Sequence, residues 1–258
     1  MMLKRFIGGA LVVIVVTLSL TNIVTFFAFI MLISLLAVNE LYRAFENKQS
    51  RPMIFEGVLL TGALLICFAI RDYYLLYFVV ITFFFAAKLL FAHNKYNVVD
   101  IATTIFGILY IGLMLGHSFF FIKHDYFFMI WLVFIIAWAT DTSAYFSGYL
   151  FGNKKLCPEI SPKKTVEGAI GGICGSVLAS AAFAYIMIPE QMFLVILLGF
   201  LGSITSQIGD LIASAIKRHA GIKDFGNIVP GHGGILDRFD SIIFTIPLVY
   251  YFVTYIMV

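Results

Sequence analysis

The chain has 258 residues, of which 62% are hydrophobic and only 12% charged. A soluble domain carries about a quarter charged residues, so this composition excludes a soluble globular protein and points to an integral membrane protein. The formal net charge of +3 is too small to argue for a nucleic-acid partner, and membrane topology explains the basic residues better.

A transmembrane helix needs roughly 20 apolar residues. Stretches near that length can be read at 6–20, 21–39, 54–71, 73–92, 98–122, 127–147, 168–188, 191–216 and 241–258. The expected fold is therefore all-α, a polytopic helical bundle of about nine transmembrane helices. Five spans fall in an N-terminal region, 1–130, and the rest in a C-terminal region, 131–258, which holds the long hydrophilic loops. The first span is short, and Thr21 and Asn22 are its only punctuation before the second. Lys4 and Arg5 ahead of it resemble the start of a signal peptide, but no small-x-small cleavage site follows, so an uncleaved helix is expected. Cys67, Cys157 and Cys174 show neither pairing nor metal-ligand spacing and read as reduced thiols.

With a cytoplasmic N-terminus, all of the 17 lysines and arginines except Arg71 and Lys123 fall on the inner side. That asymmetry predicts N-terminus in, C-terminus out and an odd number of spans. The two longest inner connections, about 148–167 and 217–240, hold most of the polar chemistry. No repeat or soluble domain is evident, so an active site would have to be built from loops and helix ends at the inner membrane surface.

Taken in chain order, Asp141 lies in IIAWATDTSAYFSGY and Asp210 in GSITSQIGDLIASAIKR. A carboxylate at such a position marks function, a buried pair or a group just inside the interface. Ser206 and Ser214 stand four residues either side of Asp210 on one helix face. A row of oxygens there, with Ser203 a further candidate, suits a hard cation. Lys163 and Lys164 precede a helix start at Glu167-Gly168, and Lys217, Arg218 and Lys223 follow Asp210. Topology alone would supply any one of these basic residues.

The stretch KRHAGIKDFGNIVPGHGGILDRFDS, 217–241, departs most from the surrounding hydrocarbon. Asp237 and Asp240, three apart, share a helix face and could converge on one cation, with Arg238 pointing elsewhere. Alternatively they complement the helix dipole. Before them, in Pro230-Gly231-His232-Gly233-Gly234, the glycines let backbone approach a ligand and turn N–H groups towards phosphate. His232 reads as a phosphate donor or a loop histidine before it reads as a base. Carboxylates for Mg²⁺, lysines for a polyphosphate and glycines to admit it are the components of phosphoryl or nucleotidyl transfer.

Ser214-x-x-Lys217-Arg218-x4-Lys223-Asp224 followed by His232-Gly233-Gly234-x-x-Asp237-Arg238-x-Asp240 resembles the C-terminal signature of phosphatidate cytidylyltransferases, or CDP-diacylglycerol synthases. Asp141-x-x-Ala144-Tyr145 and Ser161-Pro162-Lys163-Lys164-Thr165-x-Glu167-Gly168 are similar to a second stretch of that family. The resemblance covers about 138–241, without departure at the charged positions; the first 130 residues match only in hydropathy and length. It implies that CTP and phosphatidic acid give CDP-diacylglycerol and pyrophosphate, the first committed step to anionic phospholipids, at the cytoplasmic face of the cell inner (plasma) membrane. Asp210, Asp237 and Asp240 are then the expected metal ligands, with Ser206 or Ser203 as secondary oxygens. Lys163, Lys164, Lys217 and Lys223 would bind triphosphate and lipid phosphate. Asp141 and Asp224 would orient lysines or ribose, and Arg218, His232, Gly233 and Gly234 would complete the substrate contacts. The implied cofactor is Mg²⁺, a second, monovalent cation being an option; a homodimer is plausible by the same resemblance. Two rivals stand beside this reading. A transferase acting on CDP-lipid would carry an Asp-Gly-x-x-Ala-Arg run that this chain lacks, and a secondary transporter using Asp141 and Asp210 as an ion relay would show paired halves.

Overall fold

The computed structural model describes residues 13–46, 50–70, 72–121, 127–229 and 233–257. In hydrocarbon every backbone N–H and C=O must be satisfied within its own segment, so the apolar stretches fold as helices. They are α1 (Ile23–Phe45), α2 (Ile54–Ile70), α3 (Tyr74–Phe91), α4 (Val98–Phe121), α5 (Phe127–Phe151), α6 (Val166–Met187), α7 (Pro189–Ala220) and α8 (Leu236–Met257). Polar residues set the starts. Asn22 accepts the Val24 N–H at 2.8 Å to open α1, Asn97 and Asp100 form a capping box on α4, and Thr165 accepts the Gly168 N–H at 3.1 Å to open α6.

The fold is all-α apart from one short antiparallel hairpin, β1 (Lys155–Cys157) paired with β2 (Ser161–Thr165). The expected count of about nine spans is not confirmed. Among the described residues seven helices are long and apolar enough to cross a membrane, and α2, with 17 residues, is shorter. Residues 13–19 are helical, but much of the expected span 6–20 lies outside the described residues. The sequence-derived ends at 39, 147 and 216 also fall short, because α1, α5 and α7 continue to Phe45, Phe151 and Ala220.

The chain divides into two compact units. The first comprises Met1–Ile122 with Ala220–Arg238, and the second Lys123–His219 with Phe239–Val258. In the first, Tyr42 is fully buried and its hydroxyl donates to the Thr104 carbonyl at 2.6 Å. Gly57 of α2 and Gly107 of α4 face its ring so closely that a Cβ on either would collide with it. Thr104 also accepts the Met53 N–H at 2.9 Å, so one aromatic side chain and one threonine tie α1, α2 and α4 together. In the second unit, α5 and α6 pack through small residues. Gly171 faces Ser147, Gly175 faces Ser143 and Gly172 faces Ala144, a close approach suited to helices that gain no hydrophobic driving force in lipid.

Gly107→Ala should lower thermal stability in detergent. Overpacking against a buried ring costs about 1–3 kcal/mol, or about 2–4 °C for each kcal/mol in a chain of this size. Gly62→Ala is the control, since its Cβ would meet Leu35 at an ordinary 3.6 Å. Equal melting temperatures for the two variants would refute the account of Tyr42 as the packing centre.

Candidate active site

The second unit contains a cavity of about 480 Å³ whose lining includes Asp141, Tyr145, Tyr149, Lys163, Lys164, Gln207 and Asp210. Three local features build it. Thr165 ends β2 and caps α6 with the same side chain, which fixes Lys163 and Lys164 next to the helix start. Glu167 in the first turn of α6 accepts the backbone N–H groups of Asn153 at 3.1 Å and Lys154 at 3.2 Å, holding the hairpin back against the helix. Gly148 and Gly168 let α5 and α6 meet, for a Cβ on Gly168 would lie 2.9 Å from the Ala144 carbonyl.

Charge converges at this cavity. Lys164 pairs with Asp210 at 2.5 Å, each side chain 28% exposed, and the Ser214 hydroxyl lies 3.4 Å from the other Asp210 oxygen. Asp240, 8% exposed, is within electrostatic reach of Asp210, Lys217 and Asp141. Ser241 donates its hydroxyl to Asp141 at 3.3 Å and its N–H to Asp240 at 2.8 Å. Arg218 donates to the Ile160 carbonyl of the hairpin turn at 3.2 Å. Gly209 admits this arrangement, since a Cβ there would lie 2.5 Å from the Asp240 carbonyl.

Whether these residues suit a divalent cation can be judged from their donors. No three His, Cys, Asp or Glu side chains come together as a metal cage among the described residues. Mg²⁺ does not require one, because it usually takes one or two carboxylates and fills its octahedron with water and substrate phosphate. The oxygens of Asp210 and Asp141 are of the right kind. The Ser206 hydroxyl, one turn before Asp210, is buried without a hydrogen-bond partner, an oxygen for which the protein itself supplies no donor. Ser203 is committed elsewhere, accepting from Thr140 at 2.9 Å. In kind, the carboxylates of Asp141 and Asp210 suit a hard cation.

The remaining signature residues belong to the first unit. There the loop after α7 is organised by two buried carboxylates. Asp237 accepts the N–H groups of Phe225 at 2.8 Å and Gly234 at 3.0 Å, both on Oδ2. Glu40 of α1 accepts those of Ile235 at 3.1 Å on Oε1 and Leu236 at 2.9 Å on Oε2. Gly233 has a φ of +87°, and a Cβ there would come within 2.8 Å of Asp237, so glycine is needed twice over. Val229 donates to the Gly233 carbonyl at 2.9 Å, closing the loop. Lys223 and Asp224 are exposed; His232 lies outside the described residues.

Of the residues expected from sequence, Asp141, Lys163, Lys164 and Asp210 thus share one cavity, with Asp240 and Lys217 coupled to it. Asp237, Gly233 and Gly234 form a hydrogen-bonded loop with Glu40 within the first unit. The sequence reading missed Glu40, although a carboxylate in the otherwise apolar LISLLAVNELY is a signal of the same kind as Asp141 and Asp210. It also missed Tyr145, Tyr149 and Gln207 as cavity residues, which no spacing rule singles out.

The chain matches the model of the cytidylyltransferase family over residues 3–256. A phosphatidate cytidylyltransferase of Staphylococcus haemolyticus (strain JCSC1435) is 36% identical over 230 residues, 87% of this chain and 88% of its own. One of Staphylococcus aureus (strain COL) is 44% identical over 158 residues, 60% of each chain, and one of Staphylococcus saprophyticus is 36% identical over 181 residues, 69% of each. A family match from end to end, with relatives of that name aligned over most of the sequence, extends the likeness well beyond the quoted signature: the chain belongs to the phosphatidate cytidylyltransferase family.

Proposed function

We propose that this protein transfers the cytidylyl group of CTP to phosphatidic acid, releasing pyrophosphate, on the cytoplasmic side of the cell membrane, and so begins anionic phospholipid synthesis. The observation that carries the chemistry is the Lys164–Asp210 pair facing a cavity that also presents Lys163 and Asp141. A phosphate monoester is already largely ionised at neutral pH, its second pKa being about 6. Its oxygen can therefore attack the α-phosphorus of CTP without a strong protein base. One P–O bond forms, the bond to the bridging oxygen breaks, and pyrophosphate leaves in line with the attack.

Lys163 and Lys164 are placed to bind the triphosphate, with Lys217, beside Asp240, and Lys223 as further phosphate ligands. Asp210 and Asp141, supported by Ser206, would hold a divalent cation such as Mg²⁺, which when bound neutralises charge developing on the phosphates. Asp240, within electrostatic reach of both carboxylates, stays a candidate ligand. Asp237 keeps its place among the candidate ligands, alongside its loop-holding bonds. His232 and Asp224 remain substrate-contact candidates. The basic residues' one-sided distribution supports a cytoplasmic site.

Purified protein in mixed micelles should form CDP-diacylglycerol from labelled CTP and phosphatidate, with a rate that rises with Mg²⁺. Lys164→Ala should lower kcat/KM for CTP by about 10- to 100-fold, since a charge-assisted hydrogen bond to phosphate is worth about 1.5–3 kcal/mol. Absence of product from the wild-type protein, or an unaffected Lys164→Ala variant, would count against the assignment.

Asp210→Asn and Asp237→Asn separate charge from shape. The bonds from Phe225 and Gly234 both fall on Oδ2 of Asp237, so the asparagine carbonyl can keep these two while the negative charge is lost. If Asp237 only holds the loop, its variant should retain more than about a tenth of wild-type rate, a loss below about 1.4 kcal/mol. If it ligates the cation, both variants should fall by several orders of magnitude with unchanged melting curves. Initial rates across an Mg²⁺ titration decide between the two.

Sidedness has its own test. Asn227 is exposed in the loop after α7. Asn227→Cys, in a chain with the three native cysteines replaced, should react with a membrane-impermeant thiol reagent only when the cytoplasmic face is open. A C-terminal reporter should map to the opposite face. Finding both on one side would overturn the odd span number that the positive-inside argument requires.

A further inference from the structure

We infer that Glu40 is a positioning residue for the reaction, holding the signature loop from a helix 195 positions away in sequence. The inference rests on the proposed cytidylyl transfer. Glu40 is 6% exposed, and its two carboxylate oxygens are divided between two successive N–H groups, Ile235 and Leu236, at the mouth of α8. The first N–H groups of a helix have no partner inside it, and here a side chain from α1 supplies the acceptor that a local N-cap residue would ordinarily provide. The loop is shaped to receive that carboxylate. A Cβ on Gly226 would run into Oε1 and one on Gly234 into Oε2, so two separated loop segments close around the same group. Asp237 bonds the same two loop segments, at Phe225 and Gly234.

The consequence concerns Lys223, Asp224 and Asp237, all carried by this loop or the first turn of α8. Their positions depend on where α1 places Glu40. Tyr42, two residues on, fixes that end of α1 against α2 and α4 through the Thr104 carbonyl and the faces of Gly57 and Gly107. The first four described helices, which carry none of the signature, would thus contribute to turnover through one buried acid.

The test uses Glu40→Gln in the full-length protein. Glutamine offers one acceptor where two are used and sets an amide N–H₂ against a backbone N–H, so it preserves shape but cannot keep both bonds. Hydrogen–deuterium exchange of peptides containing Ile235 and Leu236 should accelerate by about tenfold or more, and kcat per folded molecule should fall by a similar factor. The melting temperature should fall by several degrees, because a buried N–H is left unsatisfied, with the variant still folded at assay temperature. Gly226→Ala, which pushes into the same carboxylate from the loop side, should show the same signature and serves if Glu40→Gln does not fold. Unchanged exchange in a folded variant would overturn the inference. Faster exchange with unchanged kcat would also overturn it, leaving Glu40 a structural bond only. A wild-type protein without cytidylyl transfer would refute the proposed function instead, while the exchange measurement would still report whether Glu40 holds the loop.

Discussion

Four backbone N–H groups in the loop between α7 and α8, those of Phe225, Gly234, Ile235 and Leu236, are satisfied by the carboxylates of Asp237 and Glu40. A loop of irregular backbone beside a bilayer cannot leave such donors unpaired, because each would cost several kcal/mol once removed from water. Side-chain acceptors therefore replace the ladder that a helix or sheet would supply. Two acids and three glycines accomplish this, and the glycines are as necessary as the acids. Gly233 must adopt a positive φ, while Gly226 and Gly234 must leave room for Glu40.

The same reasoning explains why the early helices are built as they are. A carboxylate on α1 can serve as a fixed acceptor only if α1 itself does not slide or rotate. Tyr42 prevents both, since its ring lies against glycines of two other helices and its hydroxyl is bound to Thr104. Asp100 extends the restraint by accepting the Arg51 N–H and the Asn97 N–H while Thr104 accepts from Met53. The polar residues of this region are few, and they lie at helix ends and crossings where backbone would otherwise go unsatisfied.

How much of this was legible follows from what each feature depends on. The spans were readable because length and hydropathy are properties of a single segment, and Asn22, Asn97 and Thr165 are local caps. Helix ends were misjudged where amphipathic turns extend beyond the apolar run, as in α7, which continues through Lys217, Arg218 and His219. The hairpin went unseen because Lys155–Cys157 and Ser161–Thr165 are too short to show alternation. Asp141, Lys163, Lys164 and Asp210 could be nominated from residue type and signature spacing, but their convergence on one cavity is a tertiary fact. Glu40 could have been nominated in the same way, as a carboxylate in apolar sequence, but its role lay beyond reach. Its role is defined by glycines nearly two hundred positions away, and nothing in its own neighbourhood, VNELYRAF, distinguishes a capping acid from an interfacial one.

The pairing of Lys164 with Asp210 sets the electrostatic character of the cavity before substrate arrives. Unpaired, either charge close to hydrocarbon would be unfavourable. Paired, each compensates the other. At about a quarter exposure on each side the pair is partly hydrated, so its net worth is closer to that of a surface ion pair than to that of a fully buried one. Such a pair can be exchanged at small cost. On the proposed function, a triphosphate would offer Lys164 a more highly charged partner and a divalent cation would offer the same to Asp210, so neither charge would be stranded when the two separate. Replacing the lysine alone would leave Asp210 near Asp240 and Asp141 without its nearest counter-charge, and replacing the acid alone would leave the lysine without its partner. On that function the two residues would act as a unit whose effects on rate should not add, because each would meet its new charge by exchanging partners rather than by rebuilding the site.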